Sequence, residues 1–272
     1  MPNIRRLDQA LASRNFGSRK EIHALVRAGL VHVNGLPAHN ASQKIDLERD
    51  SVTLRGEEVN LQEYIHIMLN KPKDVVSASR DPKAQTVIDL LPPALRRRGL
   101  FPVGRLDKDA TGLLLLTDDG ALAHALLSPK RHVPKSYLAS LRDPVIEADI
   151  QAFAAGLHLP AADGHPPEDC LPAELLILGH PPTPLLHPNE SAGFVTNRRF
   201  DGAPASEGGY TARVILHEGK YHQIKRMFAA RGNLVLALHR EAMGGLALDE
   251  SLQPGQCREL TAEEVEGLRA GC

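Results

Sequence analysis

Four consecutive leucines, Leu113 to Leu116, stand between a charged loop and an acidic turn in GRLDKDATGLLLLTDDG, residues 104–120. An apolar run of that length bounded by turn formers suits a buried strand, and a short buried helix would match it in period. Ahead of the run come Arg105, Asp107, Lys108 and Asp109, then Thr111 and Gly112, which read as a turn. Behind it Asp118, Asp119 and Gly120 turn the chain again. A strand fed by a charged loop is a rigid mount for reactive groups. The same loop without such a role is an ordinary solvated connection.

The 272 residues suffice for one large domain with a small one beside it. Hydrophobic residues make up 42% and charged residues 24%, a globular balance that argues against disorder and coiled coil. With a formal net charge of -1, attraction to a polyanion has to come from local patches. Cys170, Cys257 and Cys272 are odd in number and far apart, which fits neither a disulfide framework nor a zinc site with paired ligands. His158, His165, His180 and His187 have no repeating ligand spacing, so no metal is expected. The N-terminus lacks an apolar leader, and no window approaches the roughly 18 apolar residues of a membrane span. The expectation is a cytoplasmic monomer without membrane contact.

Residues 3 to about 28 read as two short helices, the second opened by Ser18 with Glu21 in the form of a capping box. Arg5, Arg6, Arg14, Arg19, Lys20 and Arg27 there face only Asp8 and Glu21. Such a patch is either a phosphate-binding footprint or a solvated helix face. Val31 and Val33 then alternate with polar residues up to Asn34 and Gly35, a hairpin signal, with a short extended piece at Ser51–Leu54 and the segment closing near Glu57–Leu61. RLDQALA followed by SRKEIHALVRAGLVHVNG resembles the ribosomal-protein-S-four-like RNA-binding module. The resemblance implies that residues 1–60 bind structured RNA through phosphate contacts and shape, using Arg5, Arg6, Arg19, Lys20 and Arg27.

A second unit, residues 61–272, starts with a strand over Tyr64–Leu69 that Asn70, Lys71 and Pro72 end. A short helix is expected over Lys83–Leu91, stopped by Pro92 and Pro93, with the cluster Arg96, Arg97, Arg98 beyond. Further expectations are a helix after Gly120, a strand through Lys135, Tyr137 and Ala139, and a helix over Ile146–Gly156. Residues 178–208 read as a surface insertion rich in proline, glycine and histidine. A strand over Tyr210–Leu216 leads to a helix from about His222 to Ala230, with Lys220, His222, Lys225 and Arg226 at its start, where a helix dipole also attracts anions. Val235–Leu238 reads as a last core strand and Thr261 as the cap of a terminal helix.

GRLDKDATGLLLLTDDG, KSYLASL and GKYHQIKRMFAARGN with LHREAMGGLAL resemble, in order and spacing, the motif regions of RNA pseudouridine synthases that modify ribosomal RNA. The run GKYHQIKRMFAARGNLVLALHRE is most similar to the branch acting on small-subunit (16S) rRNA. The resemblance implies an α+β pseudouridine synthase fold, with a mixed, largely antiparallel sheet, flanking helices and a central cleft, preceded by the small α/β RNA-binding module. It implies isomerisation of a uridine in rRNA without a cofactor, with 23S rRNA or a tRNA as the alternative target. A non-catalytic ribosome-assembly factor on the same fold is the alternative from another class.

The resemblance makes Asp107 the catalytic carboxylate, which a neighbouring cation, Lys225, keeps ionised. Tyr137 is expected to stack on the uracil and Arg105 to help hold the flipped nucleotide. His222 and Arg226 are expected in phosphate contact or packing, Leu246 below the base, and Lys108 and Asp109 as phosphate-facing loop residues.

Overall fold

The computed structural model describes residues 4–47, 49–59, 61, 64–96, 99–162, 164–178 and 210–271. The insertion expected over 178–208, apart from Leu178, and the residues Arg97, Arg98, His180, His187 and Cys272 lie outside them. The chain separates into two compact units. One runs to Ile65 and takes in Pro92–Leu100; the other holds His66–Leu91 and continues from Phe101.

In the first unit β1 (Ile4–Arg6) leads into helix α1 (Leu7–Ser13), and α2 (Arg19–Arg27) follows. Ser18 caps α2 with the reciprocal Glu21 bond that the sequence suggests. Strands β2 (Val31–Val33) and β3 (Leu36–Pro37) form the expected hairpin; β4 (Lys44–Asp46) pairs with β1, while β5 (Val52–Leu54) and β6 (Glu57–Glu58) complete a sheet of order β3-β2-β5-β6. Leu7, Leu11, Ile22, Val31, Ile45 and Val52 close its core. That arrangement turns the polar faces of the helices outward.

The second unit contains β7 (His66–Lys71), β8 (Phe101–Pro102), β9 (Thr111–Thr117), helix α3 (Gly120–Leu127), β10 (Lys135–Leu141) and α4 (Glu147–Ala155). Then come β11 (His158–Leu159), β12 (Glu168–Asp169), β13 (Glu174–Ile177), β14 (Tyr210–Leu216), α5 (Gln223–Ala230), β15 (Val235–Met243), β16 (Leu246–Ala247), β17 (Cys257–Glu259) and α6 (Ala262–Ala270). The main sheet has the order β13-β14-β10-β15-β9-β7-β17, with β16 on β15 and β8 on β9. Its pairs are antiparallel except β9 with β15. The fold is therefore α+β with a largely antiparallel sheet.

The leucine run is the centre of β9, every residue of it at most 3% exposed. Leu113 and Leu115 meet Leu122, Leu126, Met243 and Leu246 in one core cluster, so Leu246 is a core residue. Among the described residues no helix is long and apolar enough to cross a membrane.

Three expectations need correction. Lys83–Leu91 is not helical, because Asp81 accepts from the backbone N–H groups of Lys83 and Ala84, and Asp89 from the N–H and hydroxyl of Thr86. Side-chain capture of backbone donors competes with a helix at just such sites. Second, β7 does not end before Asn70 but continues through Lys71, which pairs with Gly112. Third, Gly112 is no turn: it lies inside β9 at φ +99°, where a Cβ would come within 2.3 Å of the Arg240 carbonyl oxygen. Only glycine lets the parallel strands β9 and β15 approach this closely. Pairing with β10 likewise carries β15 past Leu238 to Met243, which brings His239 and Arg240 beside the start of β9.

Candidate active site

The loop before β9 has its backbone fixed from within and its acidic side chains left outside. Leu106 and Ala110 are buried on either side of Asp107. The buried Ser77 hydroxyl donates to the Leu106 carbonyl at 2.9 Å and accepts from its N–H at 3.1 Å. The Lys108 carbonyl accepts from the Asp74 N–H and from Lys71 Nζ, and the Ala110 N–H closes a turn onto the Asp107 carbonyl. Lys71, fully buried, also donates to the Ala110 and Pro72 carbonyls at 2.8 and 3.0 Å.

Burial pushes the Lys71 ammonium down to about 8, against the opposing pull of Asp109, Asp107 and Asp74. In the sequence Lys71 reads as a strand terminator; its place directly after the apolar run Ile67–Leu69 and Asn70 is the signal that points to an internal anchor.

Helix α5 supplies the cation. Its apolar side, with Ile224, Met227 and Phe228 buried and Phe228 against Phe153 at 4.9 Å, sets the rotation of the helix. Lys225 then emerges toward the loop, and its Nζ lies 3.0 Å from Asp107 Oδ2 and 2.7 Å from Asp109 Oδ1. Burial lowers the Lys225 ammonium, but the bonds to Asp109 and Asp107 outweigh it and the net direction is up. Burial likewise raises Asp109 while Lys225 pulls it further down, so the carboxyl lies below its ordinary value.

Asp109 therefore faces Lys225 rather than a phosphate. His222, immediately before α5, sits in the left-handed region at φ +46° and brings Nε2 to 3.5 Å from Asp107 Oδ1. The side chains of Asp107, Lys225 and His222 keep 26%, 26% and 31% of their surface, enough for a substrate to reach them.

Tyr137 occupies the middle of β10, 8% exposed, opposite Arg240, whose other neighbour across the sheet is Gly112. The register thus places the tyrosine in the same row as the start of β9. Arg105 is exposed beside the loop. Arg5, Arg19, Lys20 and Arg27 are exposed in the first unit, while Arg6 grips the buried Asp8 with two bonds of 3.0 and 2.8 Å.

Of the two roles expected for Arg226, phosphate contact or packing, the structure gives it packing. It is 4% exposed, and its guanidinium donates to Glu168 Oε1 at 2.7 Å and to the carbonyls of Tyr221, Pro160 and Pro166. A guanidinium held on that many protein acceptors inside the fold is a structural clamp with no path to RNA phosphate.

The arrangement is an accessible carboxylate, Asp107, with a lysine ammonium at 3.0 Å and a histidine ring nitrogen at 3.5 Å, on a loop whose backbone is hydrogen-bonded from within. A family model described as RNA pseudouridylate synthase matches residues 65–230, and one described as the S4 domain matches residues 5–51. An uncharacterized RNA pseudouridine synthase of Bacillus subtilis is 41% identical over 264 residues, covering 97% of this chain and 98% of the relative. Proteins named ribosomal small subunit pseudouridine synthase A are 36% identical in both Vibrio cholerae and Escherichia coli, with 97% of this chain and 99% of each relative covered. A solved structure described as a pseudouridylate synthase shares 34% identity and a TM-score of 0.59, covering 97% of this chain and 99% of its own.

Proposed function

The chain belongs to the RNA pseudouridine synthase family, and on that premise we propose that Asp107 is the carboxylate through which it isomerises a uridine of small-subunit (16S) ribosomal RNA. Isomerisation breaks the bond from the sugar to nitrogen and remakes it to carbon, with no redox change and no group transferred. An acidic side chain can start this by attacking the anomeric carbon, by adding to the pyrimidine ring, or by taking the proton that begins elimination. Each route needs an ionised carboxylate at a fixed position.

The observation that carries the reading is the Asp107–Lys225 pair at 3.0 Å on a loop tied down by Lys71 and Ser77. Lys225 neutralises Asp107 while leaving part of the carboxylate open to a flipped base. Tyr137 is the ring on which the uracil stacks, and Arg105 helps hold the nucleotide outside its helix. Residues 1–60 serve as the RNA-binding module and 61–272 as the catalytic domain, with Arg5, Arg19, Lys20 and Arg27 as phosphate contacts. The names of the Vibrio and Escherichia relatives support the small-subunit target.

The test is tritium release from small-subunit rRNA labelled at the fifth position of its uridines. Wild type is expected to release tritium and Asp107→Asn to lose about 10⁴-fold or more in turnover, the scale on which removing a nucleophile acts. Equal release by the two proteins would remove Asp107 from the chemistry.

A further inference from the structure

Next to the carboxylate stands a column of three rings that the isomerisation itself does not use. The rings of His165 and Tyr221 are stacked with centroids 4.0 Å apart and planes 13° apart, and those of Tyr221 and His222 at 3.9 Å and 22°. His222 is the residue whose Nε2 approaches Asp107. At the other end His165 remains exposed although one of its faces lies on Tyr221, so its second face is open to solvent.

Resting on the reading above, we propose that this column is a stacking platform for a nucleobase of the RNA a few nucleotides from the target uridine. Every base offers a π-face, and a ring already stacked at base-like spacing accepts another with little ordering of its own.

The column is held in place by more than the contact of its rings. The loop that carries His165 springs from the β11–β12 hairpin, and Ala162 and His165 exchange backbone bonds of 3.1 and 2.8 Å at its tip. Arg226 binds both sides of the arrangement: Pro160, Pro166 and Glu168 on the hairpin, and the Tyr221 carbonyl ahead of α5. Lys220 adds a second tie to Glu168 at 2.9 Å. The clamp that stabilises the hairpin thereby also fixes the position of an imidazole left in solvent.

The left-handed backbone of His222 is a second, independent observation. A side chain other than glycine rarely adopts φ near +46°, and such strain persists where the surroundings enforce it at working sites. In this conformation the His222 ring lies on Tyr221 while its Nε2 stays 3.5 Å from Asp107 Oδ1.

The experiment compares KM and kcat for tritium release from labelled small-subunit rRNA transcript by wild type, His165→Ala and His165→Phe. His165→Ala is expected to raise KM roughly tenfold while kcat stays within about twofold, and His165→Phe to return KM close to wild type. A KM for His165→Ala equal to wild type, or a His165→Phe as weak as His165→Ala, would overturn the platform. Absence of release by wild type from this transcript would strike the small-subunit target instead. The same three proteins compared on total cellular RNA would then decide the platform.

Discussion

The cations of α2 and those at the start of α5 have the same chemistry and opposite surroundings. Arg19, Lys20 and Arg27 stand exposed on a small helical unit, whereas Lys225 and Arg226 are drawn into contacts with carboxylates of the protein itself. Within α5 the contrast sharpens again over one residue. Lys225 keeps a solvent-facing side and neutralises Asp107 and Asp109, while Arg226, on the next position round the helix, points inward and ties the β11–β12 hairpin to it. A basic residue is available to phosphate only when no closer carboxylate has claimed it, and charge counting along a sequence is blind to that distinction.

Four experiments would break or sharpen this contrast. The largest effect is expected for Lys225→Met, which leaves Asp107 and Asp109 as uncompensated neighbouring carboxylates: kcat should fall by about 10² at unchanged fold, with Lys225→Arg recovering most of it. Single-turnover kinetics on rRNA measure this. Full activity in Lys225→Met would mean that the pair serves stability alone.

Arg226→Gln should act in the opposite manner, costing about 2–3 kcal/mol in urea unfolding because Glu168 Oε1 and two hairpin carbonyls lose the guanidinium, with only Lys220 left on Glu168. Its effect on RNA affinity, measured where the variant is fully folded, should be small. A loss of affinity without loss of stability would return Arg226 to the RNA-facing group.

Lys71 gives a pH-dependent test. The unfolded chain holds this proton to about 10.4, whereas the buried amine releases it from about 8. Between those values the unfolded state binds more protons, so the Lys71 contribution makes stability rise with pH. Urea midpoints at pH 8 and pH 10 should show that rise in wild type and its loss in Lys71→Met, relative to the same change in all other groups.

The smallest change in stability, within about 0.5 kcal/mol, is expected for the double variant Arg19→Ala, Lys20→Ala. Its RNA affinity should fall, with the slope against salt shallower by about one for each phosphate that the variant no longer neutralises. An unaltered salt slope would make the α2 face an ordinary solvated surface.

Much of both units was legible because the signals are local. The leucine run between turn formers became β9, KSYLASL became β10, the Tyr210–Leu216 alternation became β14, and the Ser18 and Thr261 caps opened α2 and α6. Each depends on period and capping, which neighbours along the chain determine. The helix expected over Lys83–Leu91 failed for a local reason too, since Asp81 and Asp89 offer acceptors that outcompete a first helical turn.

Motif neighbours single out Asp107 and Lys225 in the sequence, at a separation of more than a hundred residues. Their 3.0 Å meeting depended on the tertiary structure. So did the meaning of Gly112, a turn former by sequence and a strand residue by structure, because the feature that demands glycine is the Arg240 backbone brought alongside by a parallel strand pair.

The sequence by itself determined those elements whose period and caps are local, and the faces that they bury, since these follow from spacing. Only the folded chain decided which cations are spent inside. Lys71 on three carbonyls, Arg226 on the hairpin and Lys225 on Asp107 carry the same charge in the sequence. What separates them is which acceptors long-range packing places within hydrogen-bond reach, and electrostatic energy depends on that distance and burial rather than on position along the chain.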